Sequence, residues 1–166
     1  LENSDIRVWW QKDQPNEDNA REILAYFPEI KEKLEGVTGK KILSDSGTHY
    51  FRDIEGNKKH WADGGNGKLD LYVGDIDIRG SLGLTIAYPP GCSETPSFIL
   101  IDQVIFGNTL KATLAHEFMH VLSFTFTHGR ECSEYQDVDE GIATWAINYV
   151  YPKNNFEQIF ESLIDG

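Results

Sequence analysis

The chain has 166 residues, a formal net charge of −12 and 40% hydrophobic residues, with four Trp, seven Tyr and nine Phe. That size suits one domain, 1–166, with a real core, and so many aromatic side chains argue against disorder. The acidity argues against a nucleic-acid partner and fits either solubility or a cationic substrate, and no apolar run is long enough to span a bilayer.

In chain order, Ile6 to Trp10 reads as a short strand. Glu17 to Leu34 reads as a helix with Ile23, Phe27, Ile30 and Leu34 on its apolar face, and Pro28 is expected to kink or split it. Lys41-Ile42-Leu43 and Leu69 to Val73 are strand candidates. The segment Asp63 to Asp70 has two readings. Asn66-Gly67 is a hairpin-turn signal ahead of a strand. Alternatively, the oxygen-bearing side chains of Asp63, Asn66 and Asp70, with Asp75 and Asp77 just after, suit calcium, although they do not follow the EF-hand pattern. Leu82 to Tyr88 and Ser97 to Asp102 are expected to be neighbouring strands. The second of these is the candidate edge strand, along which an extended substrate backbone could pair. His49 and His60 lie in polar surroundings and read as ordinary surface histidines. A last helix is expected from about Asn155 to Leu163. The order is α/β in the broad sense, α+β, with a twisted mixed sheet.

Most of the chemistry is in His116-Glu117-Phe118-Met119-His120, an HExxH motif inside the helical stretch Leu110 to Leu122. Histidines four apart on a helix differ by only about 40° in direction, so both imidazoles leave one face. One tetrahedral zinc ion can take both nitrogens. Glu117 follows the first histidine and lies beside the metal, where it can accept a proton from water that the metal activates. Leu110, Leu114, Phe118, Val121 and Leu122 imply that this helix is buried, and unpartnered His and Glu are costly to bury. A third ligand is expected downstream. Glu140 is the candidate, in a helix from Asp137 to Tyr149 that Asp137 can cap and whose apolar stripe is Val138, Ile142, Trp145 and Tyr149. Glu131, Glu134, Asp137 and Asp139 are close rivals, and spacing alone does not choose among them.

HExxH with a glutamate twenty residues after the second histidine, His120 to Glu140, resembles the gluzincin metallopeptidases in its thermolysin-like spacing. Residues 60–155 are similar to a group of secreted bacterial and archaeal peptidases assigned by motif. The matching segments are Asn66-Gly67-Lys68-Leu69-Asp70, the HEFMH helix, Glu140-Gly141-Ile142-Ala143-Thr144-Trp145, and Tyr151-Pro152. The metzincin pattern does not fit, because Ser123 and Phe126 stand where it requires Gly and His. An aspartate-liganded zincin using Asp137 or Asp139 is the minor alternative.

The resemblance implies a zincin-like fold, with the long N-terminal helix and the active-site helix packed on the sheet. It implies zinc on His116, His120 and Glu140, with Glu117 as general base in an endopeptidase acting on a protein or peptide. Tyr135 is the implied oxyanion donor, with His128 and Tyr149 as rivals. The other readings are a catalytically inactive binding or adhesion module on the same scaffold, and a zinc hydrolase of a non-peptide amide. A monomer and a secreted, extracellular setting are expected; the start at Leu1 fits a mature form or an excised catalytic domain. Cys92 and Cys132 would suit a disulfide pinning two loops near the cleft.

Overall fold

The computed structural model describes residues 1–11, 16–45, 50–52, 55, 57–60, 67–76, 80–88, 91, 93–128, 134–154 and 156. Among these it has strands β1 (Ile6–Trp10), β2 (Tyr50–Arg52), β3 (Lys58–His60), β4 (Leu69–Gly74), β5 (Gly83–Ala87) and β6 (Ser97–Asp102). The helices are α1 (Glu17–Thr38), α2 (Gly107–Ser123) and α3 (Gln136–Val150). The class is mixed α+β. One four-stranded sheet has the order β1-β4-β6-β5, with β1, β4 and β6 parallel and β5 antiparallel to β6. The short antiparallel pair β2-β3 forms a second sheet that sequence reading did not anticipate.

Alternation along the strands sends Ile6, Val8, Leu71, Val73, Ile99 and Ile101 into one core shared with the helices. From α1, Ile23, Phe27, Ile30 and Leu34 are fully buried, as their spacing predicts. Phe27 meets Phe118 of α2 edge to face at 4.9 Å between centroids, which joins the long helix to the motif helix. A second tie fixes where α2 begins. Phe106 offers no side-chain cap, and Glu22 of α1 instead accepts from the Gly107 N–H at 2.8 Å. A carboxylate at that position satisfies an otherwise orphan donor and complements the helix dipole.

Several expectations are corrected. Pro28 neither splits nor ends α1, which continues to Thr38 and stops at Gly39 in the left-handed region (φ 66°). Proline removes one backbone bond, and the buried residues on both sides of it hold the helix together. Lys41 to Leu43 is not a strand. The edge beside α2 is β5, while β6 lies between β4 and β5. The near-continuous apolar run Phe98-Ile99-Leu100-Ile101 is that of a strand paired on both sides, whereas every residue of β5 is only half-buried. Gly67 does take the turn conformation (φ 74°); Asn66 lies outside the described residues, and both described neighbours of β4 run parallel to it rather than as a hairpin partner.

On α3 the stripe expected to face the core faces solvent. Val138, Ile142, Trp145 and Tyr149 are exposed, with the last two rings stacked, and Ala143, Ala146, Ile147 and Val150 are buried instead. Alanines let α3 approach α2 closely, and that approach brings Glu140 to the histidines. Nor does Asp137 cap α3: Tyr135 occupies the N-cap without a side-chain bond, and Asp137 lies in the first turn. Of the calcium candidates, Asp63, Asn66 and Asp77 lie outside the described residues. Asp70 is fully buried and accepts from the Trp9 indole N–H at 2.8 Å, while Asp75 is exposed. His49, the side chain of His60, both cysteines and all of the expected last helix except Phe156 also lie outside the described residues.

Candidate metal centre

His116 and His120 leave one face of α2 and are both buried, at 8% and 7% exposed. Their Nε2 atoms are 3.1 Å apart. Glu140, near the start of α3, places Oε2 3.2 Å from His116 Nε2 and Oε1 3.6 Å from His120 Nε2. Among the described residues these three form a group able to hold a metal ion, with their ligand atoms all within 4.8 Å of one another. The other side of His120 is also occupied. Its Nδ1 lies 2.7 Å from Asp139 Oδ2, which assigns the proton to Nδ1 and turns the Nε2 lone pair toward His116 and Glu140. Asp139, weighed from sequence as a rival ligand, lies outside that group and contacts the far side of the His120 ring.

In the metal-free chain the surrounding carboxylates also favour a second proton, on His120 Nε2, which a metal bound there would displace. Burial works against a proton on His120, but the hydrogen bond to Asp139 and the Glu140 and Glu117 carboxylates outweigh it, and its pKa rises from 6.5 to about 10. Contacts with His116, then His120, hold the Glu140 carboxyl well below the usual carboxylate range. Glu117 is 6% exposed, and burial pushes its carboxyl up against the opposing pull of both histidines and Thr85. Because His120 is raised in the fold, its ion pairing stabilises the metal-free chain fully below about 6.5, the unfolded value, and fades as pH climbs through about 10. Thermal melts without metal at pH 6.5, 8 and 10 are expected to show this loss. A His120→Gln variant should lack that component of the slope.

The cleft around the group has a volume of about 740 Å³. Gly80 to Thr85 form one wall, α2 the floor, and Gln136, Asp139, Glu140, Gly141 and Thr144 the other wall. Glu117 projects into it against β5: Thr85 Oγ1 lies 2.7 Å from Glu117 Oε2 and 2.9 Å from its backbone oxygen. Gln136 and Thr85 were not singled out from sequence, and no local motif marks them, whereas Thr144 lies in the Glu140–Trp145 segment that carries the resemblance. The three candidate oxyanion donors are not among the residues that line this cleft. The half-buried ring of Tyr135, one residue before Gln136, packs on His128 at 5.0 Å. His128 Nε2 contacts the Ser123 carbonyl at 3.1 Å. Tyr149 is nine residues beyond Glu140, on the opposite side of α3, and is stacked on Trp145.

No protein-family model, curated protein or solved structure matches the chain. Among the described residues no helix is long and apolar enough to cross a membrane.

Proposed function

We propose that this chain is a zinc-dependent endopeptidase of the gluzincin type on a zincin-like fold, with His116, His120 and Glu140 as zinc ligands. One observation carries the reading. The two Nε2 atoms are 3.1 Å apart, and the Glu140 carboxylate brings one oxygen within 3.2 Å of His116 Nε2 and its other oxygen within 3.6 Å of His120 Nε2. Tetrahedral zinc with bonds of about 2.05 Å needs ligand separations of about 3.3 Å. The donor set fits as well, since two imidazoles and one carboxylate leave a fourth position open.

Zinc held there would polarise a substrate carbonyl and make water a nucleophile near neutral pH. The chain's own groups do the rest. Asp139 keeps the proton on His120 Nδ1 so that Nε2 remains a ligand. Glu117, close to the histidines yet outside the ligand group, takes a proton from water and passes it to the leaving amine. Its burial, which raises its proton affinity, suits that shuttling. A half-exposed β5 along the cleft offers an edge for an extended peptide. A secreted setting belongs to the same proposal and rests on the resemblance alone.

The test is cleavage of quenched fluorescent casein by the chain loaded with zinc, treated with chelator, and reloaded. One zinc per chain, with cleavage that follows the metal, is the expected result. Bound zinc without cleavage would move the reading to a binding module or a non-peptide amide hydrolase, and absence of zinc binding would end it. Asp139→Asn is expected to weaken zinc about 10- to 100-fold, measured by competition with a chromogenic chelator. An unchanged affinity would mean that Asp139 does not orient His120.

A further inference from the structure

We propose that Thr85 is a positioning residue for Glu117, and that with Gly83 it forms a seat on β5 that selects the conformer of the general base. The inference rests on the peptidase reading for its consequence in catalysis, but its geometry stands apart from any metal. The Thr85 hydroxyl has one proton to donate, and its two acceptors are Glu117 Oε2 at 2.7 Å and the Glu117 carbonyl at 2.9 Å. The hydroxyl therefore touches both the backbone and the carboxylate of one residue, which limits how that side chain can turn.

Gly83 completes the seat by what it lacks. A Cβ there would come within 2.7 Å of Glu117 Cγ and 2.9 Å of its Oε1, and within 2.7 Å of Thr113 Cγ2. The Glu117 side chain thus lies directly on bare backbone, two residues along β5 from the hydroxyl that holds it. The backbone of Gly83 has no unusual φ that would itself demand glycine, so the close approach is the reason for it. Without the donor and the open space, a buried carboxylate facing two imidazoles can swing toward them and be lost as a base.

The variants are Thr85→Val, which keeps the shape and removes the donor, Thr85→Ser, which keeps the donor, and Gly83→Ala. Thr85→Ala is added should the valine variant fail to fold. Crystal structures of the metal-free proteins are expected to hold Glu117 on residue 85 in the wild type and Thr85→Ser. In Thr85→Val and Gly83→Ala it should be turned away or split between conformers. On quenched casein, kcat is expected to fall about 10- to 100-fold in those two variants, with KM and zinc affinity within about twofold, and to recover in Thr85→Ser. An unmoved Glu117 in Thr85→Val, or a serine variant as impaired as the valine one, would overturn the proposal. A wild-type chain that seats Glu117 on Thr85 and binds zinc yet cuts nothing would sink the peptidase reading and support the seat.

Discussion

Replacing Glu117 with Gln is expected to leave one zinc bound per chain while peptide hydrolysis falls on the order of 10³-fold. Glutamine has the same shape, and its side-chain carbonyl can still accept the Thr85 hydroxyl that now meets Oε2. His116, His120 and Glu140 are untouched, so metal affinity should hold. What disappears is the ability to take a proton from water, and general-base catalysis of this kind contributes about 10²- to 10⁴-fold. Metal analysis of the purified variant beside kcat/KM on a quenched peptide separates the two effects. A variant that keeps its zinc and loses less than about tenfold in rate would remove Glu117 from the role assigned to it.

The second large effect is expected at Glu140. Glu140→Gln should weaken zinc on the order of 10²- to 10³-fold, roughly one ligand's share of the apparent binding free energy of a four-ligand site. The same change should remove most zinc-dependent stabilisation. For the wild type, free zinc at about 1,000 times Kd adds about 4 kcal/mol to the unfolding free energy. Melting temperatures with and without zinc measure this directly, and the metal-free melt of each protein serves as its own reference. If Glu140→Gln still gained the full zinc-dependent shift, the third ligand would have to be sought elsewhere. Asp139 would come first, since it already lies against His120.

Much of the fold was legible because local patterns report local structure. The β1 strand, the apolar face of α1, the body of α2 from Leu110 to Leu122 and the strands around 69–73, 83–87 and 97–102 follow from periodicity and turn residues. The failures share a cause. Val138, Ile142, Trp145 and Tyr149 repeat at helical spacing and carry the stronger hydrophobic signal, yet the alanine face is the one that packs. Alanine adds little to a hydrophobic pattern, and its value here is its small size at a close helix–helix contact. The order of β5 and β6 depends on pairing partners distant in sequence, and only the continuous apolar run of β6 hinted that it was interior.

By itself the sequence determined the part of the site that a single helix can build. Residues 116 and 120 share a face because 3.6 residues make a turn, and Glu117 follows at the next position whatever the rest of the chain does. Tertiary structure decided the other components. It brought Asp139 to His120 across 19 residues and Thr85 to Glu117 across 32. It also chose which carboxylate faces the two Nε2 atoms and which one steadies a ring from behind. Spacing could not separate those roles, because adjacent residues on α3 point about 100° apart and only the packing of α3 on α2 settles which direction meets the histidines.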